Sequence, residues 1–130
     1  MFTNRLGLSA LAVTALLLSA CGGGGGDEPT TRGAIAISDS TGIAAIIWNA
    51  PDQNVANDQA RSKCGGGDCK VILQFSRCGA ISTDFNLRKY GVAEGESEQS
   101  AQTAADGACR AAGGKNCKAP ADGNLTARCN

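Results

Sequence analysis

The sequence predicts an α+β domain: two tandem strand-strand-helix-strand repeats forming a mainly antiparallel sheet with two short helices packed on it, stapled by disulfides. Two observations carry the repeat. "GAIAIS" at 33–38 has its counterpart in "GAISTD" at 79–84, an offset of 46 residues, and "DQNVANDQARSKC" ending at Cys64 matches "SEQSAQTAADGAC" ending at Cys109, an offset of 45. Self-similarity at a fixed period marks a duplicated unit. A third observation carries the staples: seven cysteines in 130 residues, six of them falling three to each copy.

The first twenty residues, "MFTNRLGLSALAVTALLLSA", hold one positive charge at Arg5 and an apolar stretch from Leu6 to Leu18. This is the pattern of a secretory signal, and the run is shorter than the ~20 residues that span a bilayer core. Leu18-Ser19-Ala20-Cys21 resembles the bacterial lipobox, in which the chain is cut before a cysteine already joined to diacylglycerol. The competing reading is an ordinary signal cleaved near a cysteine. Under the lipobox reading Cys21 is the lipidated first residue of the mature chain and, once further acylated, for example by palmitate, anchors it to a membrane. Several chains are needed for that, since each buried methylene contributes about 0.8 kcal/mol. Residues 21–32 are a glycine-rich tether, flexible over roughly 15–20 Å. Gly22 after the cysteine, where aspartate would retain a lipoprotein at the inner membrane, directs the expectation to the outer membrane, facing the periplasm.

Residues 33–130 are expected to form the folded domain, with copies at about 33–78 and 79–129. Loss of the signal removes Arg5 from twelve basic residues and leaves eleven against twelve acids. Such balance argues against nucleic acid, which demands clustered positive charge. Aromatics are few and the apolar content is rich in alanine, so the core is thin. Domains of about 100 residues bury only somewhat over 60% of their unfolded surface, and a thin core makes covalent staples useful.

In copy one, "GAIAIS" reads as a strand, "SDSTG" as a turn by composition, and "GIAAIIW" as a strand buried on both sides, Ile43, Ala45 and Ile47 alternating with Ala44, Ile46 and Trp48. Ala56, Ala60 and Cys64 then recur every fourth residue, as do Ala101, Ala105 and Cys109 in copy two. That is one narrow helical face suited to lying close on a sheet. Asp52 and Ser97 precede the two helices as N-caps, each offering an oxygen to an unpaired amide. In "KVILQFS", Val71, Leu73 and Phe75 fall on one face. Copy two is less regular: "LRKYGVA" reads as a strand, but "KAPADGNLTARC" carries a proline and a glycine, and only its last residues are expected to pair.

Cys64, Cys69, Cys78, Cys109, Cys117 and Cys129 are an even set in an exported chain, hence a disulfide framework. Zinc is the competing use of Cys-x4-Cys, but the chain has no histidine and the spacings match no common site. Of fifteen pairings the duplication favours Cys64–Cys69 and Cys109–Cys117 within the copies, with Cys78–Cys129 joining them.

An opening "RGAIAIS", the run "ARSKCGGGDCKVILQFSRCGAI" and "AADGAC" together resemble domain of unknown function family 4189. The resemblance covers about residues 32 to 129. It implies an exported, cysteine-bearing bacterial domain, some lipoprotein versions of which look like immunity partners of interbacterial toxins. The chain departs from the family in its final strand and in lacking the aromatic residues often found near the family's second strand.

Without histidine, the commonest general base and every Ser-His or Cys-His arrangement are missing. A carboxylate pair of the glycosidase kind survives, with Asp68, Asp84, Glu94, Glu96 and Glu98 as the available acids. Asp68 reads more simply as a turn residue, and "EGESE" as favourable charge at a helix start. "CGGGDC" lacks the lysine and following helix of a phosphate loop. The expectation is therefore a noncatalytic, periplasm-facing lipoprotein with no cofactor and no metal. It binds a protein partner, as an inhibitor or immunity factor against an interbacterial toxin. The alternatives are a structural component contacting surface proteins or peptidoglycan and, third, a carboxylate-dependent cell-wall hydrolase.

Overall fold

The computed structural model describes residues 30–130; the signal segment, Cys21 and the tether to residue 29 lie outside the described residues. The elements run β1 (Arg32–Ile37), β2 (Ala44–Ala50), α1 (Gln53–Cys64), β3 (Lys70–Phe75), β4 (Cys78–Asp84), β5 (Lys89–Gly95), α2 (Glu98–Ala111), a 3-10 turn (Gly123–Leu125) and β6 (Arg128–Cys129). The fold is α+β, and its antiparallel strands divide into two three-stranded sheets ordered β2-β1-β3 and β5-β4-β6. Each copy thus builds its own sheet around its own first strand.

Side-chain size explains the division. Along β1, alanines and isoleucines alternate, and in a strand alternate residues face opposite sides. Ala34 and Ala36 pack with Ala56, Ala60 and Cys64 of α1, so the helix lies close on the small face. Ile35 and Ile37 turn the other way and meet Ile46, Phe75 and Ile81, with Tyr90 and Val92 beside them. In copy two Ala80 packs against Ala101 and Ala105 of α2. The large faces are left without helices and close on each other, giving the layer order helix, sheet, sheet, helix.

Phe75 closes one end of that junction, over the first residues of β1 and β4. A Cβ added to Gly33 would lie 2.1 Å from its ring and one added to Gly79 2.4 Å from it. These glycines occupy equivalent positions in the two copies, so one ring is seated on both.

The helices begin where their caps place them. Asp52 Oδ1 accepts from the Val55 amide at 2.9 Å, and Ser97 Oγ from the Ser100 amide at 3.1 Å, with Ser100 Oγ accepting in return from the Ser97 amide. Caps of this kind contribute about 1 kcal/mol each. A glutamine on each helix ties it to a central strand: Gln53 Nε2 donates to the Gly33 carbonyl and Gln102 Nε2 to that of Ile81.

Irregularities modify the expected strands. The β1–β3 register shifts between Ile35 and Ala36, pairing them with Leu73 and Val71. Ile72 is the extra residue of a bulge, so Val71 faces α1 while Leu73 and Phe75 face the other sheet; the three do not share one face. Ile43 lies before β2, outside the alternation it was expected to open. A second shift, between Arg32 and Ala34 along β2, leaves one extra residue near Asn49, whose φ is 56°. This bulge accounts for the offset falling from 46 before it to 45 after it. In copy two the third strand survives as a bridge between Lys118 and Thr83 and as the two residues of β6 on Cys78 and Gly79. Three disulfides join Cys64 to Cys69, Cys109 to Cys117 and Cys78 to Cys129.

Candidate functional site

The two first strands both end at hairpin turns, 38–43 after β1 and 85–88 after β4, and residues of both turns line one cleft of about 300 Å³. Each turn is fastened to the disulfide loop of its own copy. In copy one the loop supplies the carboxylate: Asp68 accepts from Ser38 Oγ at 2.5 Å and from the Ser40 amide at 2.9 Å. In copy two the strand end supplies it: Asp84 Oδ2 accepts from the Lys115 and Asn116 amides at 2.8 Å each. Ser38 and Asp84 are equivalent residues, so the same joint is made with donor and acceptor exchanged. Each also holds its own turn, Ser38 Oγ accepting from the Thr41 amide and Asp84 Oδ1 from the Asn86 and Leu87 amides.

These bonds set the charge state of both acids. Donation from Ser38, then from the Ser40 amide, lowers the Asp68 carboxyl to about 2. The Asn116 and Lys115 amides lower that of Asp84. Both are anions that accept from neighbouring segments, an arrangement that ties turn and loop together. Asp39 in the cleft pairs with Lys70 at 2.5 Å, which raises the Lys70 ammonium.

The remaining acids sit at the opposite end. Glu94 Oε1 accepts from the Ser76 amide and hydroxyl and from the Arg77 amide, Glu96 pairs with the Arg77 guanidinium, and Glu98 stands in the first turn of α2. Glu94 and Glu96 share an open hollow with Arg77 and Ser100. The fold therefore places Asp68 and Asp84 at the turns and Glu94, Glu96 and Glu98 away from them. In "CGGGDC", Gly65 supplies the left-handed helix end at φ 76°, and Gly66 lies against Asp68, Ser38 and the Cys69 sulfur. Gly65 and Gly66 thus serve the turn and its disulfide. No group of three or more potential metal ligands forms among the described residues.

A family model described as domain of unknown function (DUF4189) matches residues 33–122. The chain belongs to the DUF4189 family. The match begins at Gly33, one of the two glycines under Phe75, and includes both turns and both short-loop disulfides. Among similar proteins are Protein Rv1269c of Mycobacterium tuberculosis, 37% identical over 60 residues, covering 46% of this chain and 48% of that protein. Uncharacterized protein Rv1813c of the same organism is 36% identical over 70 residues, covering 54% and 47%. Protein Mb1300c of Mycobacterium bovis is 37% identical over 60 residues, with the coverage of the first. The chain spans about half the length of the curated relatives it matches. No solved structure matches it.

The DUF4189 turns carry features that the composition does not show. The large apolar side chains exposed among the described residues are Ile43 at 53%, Phe85 at 69% and Leu87 at 44%, all on or beside these turns. Sequence reasoning missed Phe85, Leu87 and the neighbouring Arg88, although the duplication held a signal for them. The offset of 46 sets Phe85 opposite Asp39, Leu87 opposite Thr41 and Arg88 opposite Gly42. A polar turn in copy one becomes apolar and basic in copy two.

Proposed function

We propose that this DUF4189 chain is a noncatalytic, envelope-anchored lipoprotein whose turn-bearing pole binds a protein partner, as an inhibitor or immunity factor against an interbacterial toxin. One observation carries the reading: the exposed large apolar residues are gathered on two adjacent hairpin turns. Apolar side chains concentrated in one place on a small soluble head mark an interaction surface, whereas scattered ones would not. Strand direction supports it. β1 runs from the tether toward the turns, about 20 Å for six residues, so a chain held through Cys21 presents this pole away from its membrane. The short disulfides and the Asp68 and Asp84 joints keep the turns rigid, which limits the ordering that binding would otherwise require.

The test places a photo-crosslinking residue at position 85 of the full-length chain in living cells, with position 62 on the exposed face of α1 as control. A discrete protein adduct from position 85 alone is expected. Co-expression with a toxin encoded beside the gene should give protection that Phe85→Ser removes. Absence of both the adduct and the protection overturns the proposal.

A further inference from the structure

We infer that the copy-two side of this pole docks an acidic peptide segment that also carries apolar side chains; the inference rests on the partner-binding reading above and specifies the chemistry of the partner. The cleft between the turns adjoins a second hollow of about 610 Å³, and Thr83, Asp84 and Phe85 line both. Arg88 and Lys89 border the first, Lys115 and Lys118 the second. All four are exposed and none has an ion pair among the described residues. Around the two hollows and the turns beside them, five cations (these four and Lys70) face three carboxylates: Asp39, paired with Lys70, and Asp68 and Asp84, each hydrogen-bonded to a neighbouring turn or loop. In a chain of zero formal net charge, that is a local excess of positive charge around exposed phenylalanine.

Comparison of the copies shows that the turn does not require Arg88. Gly42 and Arg88 are equivalent and both have left-handed backbone, φ 73° and 50°. Glycine adopts that conformation freely and a side chain adopts it at a steric cost; copy one has the unstrained residue and copy two retains arginine. Because Asp84 takes the backbone amides of Lys115 and Asn116, their side chains are left to face outward, whereas in copy one the loop's own Asp68 side chain is used up. A surface with unpaired cations around an aromatic complements a segment of interspersed carboxylates and apolar groups, with charge guiding encounter and Phe85 supplying the desolvated contact.

The test uses the full-length chain in nonionic detergent and a fluorescein-labelled short peptide alternating glutamate with leucine and phenylalanine. Saturable binding is expected, weakening as NaCl is raised and falling about tenfold in Lys115→Glu/Lys118→Glu. Arg88→Gly should bind more weakly while melting no lower than the parent, which separates recognition from folding. Equal binding of a lysine-for-glutamate peptide, parental affinity in either variant, or displacement by phosphatidylglycerol in the micelles or by inorganic polyphosphate overturns the inference. The crosslink from position 85 distinguishes the two levels. If it persists undiminished in the charge-reversed chain, partner binding stands and the acidic-segment inference fails; if the parent gives neither crosslink nor protection, the partner-binding reading fails.

Discussion

Asp84 and Asp68 show how one carboxylate can decide the geometry of a turn. Each takes hydrogen bonds from a segment about thirty residues distant, and each is held below its ordinary acidity range by those donors. A carboxyl with a lowered folded pKa stabilises above its unfolded value, near 4, and loses that contribution as pH falls through the folded value, about 2 for Asp68. The double variant Asp68→Asn/Asp84→Asn should therefore melt below the parent at neutral pH, and the gap should close between about pH 4 and pH 2. A gap in Tm that stays constant over this range would contradict the assignment. Phe75 gives a second prediction at this scale. Gly79→Ala forces a methyl into its ring and should destabilise by about 1–3 kcal/mol in denaturant unfolding, with Gly33→Ala similar. The turn position of Asp68 was legible in "CGGGDC", and the paired glycines were legible in the repeat. Their partners were not, because Ser38 lies 30 residues from Asp68 and Phe75 lies 42 from Gly33, and no local pattern names them.

At the scale of the element, the two helices were the most legible parts. Ala-x3-Ala-x3-Cys lays three small residues on one stripe, and in both helices those residues are the buried ones. Small size also fixes how near α2 comes to its sheet: a Cβ on Gly91 would lie 2.1 Å from the Cys109 nitrogen and one on Gly95 2.4 Å from that of Ala101. Copy one carries Ala45 where copy two has Gly91, so the two helices need not ride equally close. Gly91→Ala should displace α2 and lower stability by about 3 kcal/mol. Gly67→Ala, with nothing within 4 Å of the added carbon, should stay within about 0.5 kcal/mol of the parent; equal losses would mean that helix proximity is not the cause. Strands were legible in kind more than in facing. The bulge at Ile72 reverses Val71 relative to Leu73, and period-two reading has no means of detecting an inserted residue. The bulge near Asn49 did leave a trace, as the one-residue change in offset between the copies.

The whole molecule has two poles, and the duplication determines what each can hold. Equivalent strands start side by side at the Phe75 end, where β6 returns to Cys78, and they finish side by side at the turns. That the sheets would stack was not legible, because an isoleucine face buried by a sheet and one buried by a helix give the same alternation. The proposed anchor is tested at this scale: if the lipobox reading holds, Cys21→Ala should shift the chain from the membrane to the soluble periplasmic fraction, and unchanged detergent partitioning would remove the lipid from the scheme. The covalent frame is also unequal between the poles. Cys64–Cys69 and Cys109–Cys117 close separations of 5 and 8 residues in the loops beside the turns, while Cys78–Cys129 closes 51 at the opposite pole. In the loop-entropy model the short bridges contribute roughly 2 kcal/mol each and the long one roughly 4. The long bridge also secures a strand of only two residues, together with Asn130, whose side chain reaches the Phe75 carbonyl and the Asn49 amide. Cys78→Ala/Cys129→Ala should therefore lose about twice the unfolding free energy of Cys64→Ala/Cys69→Ala. Amide exchange should rise from Lys118 to Asn130 while α1 stays protected. Equal losses, or exchange rising uniformly along the chain, would show that the contacts of β6 rather than its disulfide hold the second sheet closed.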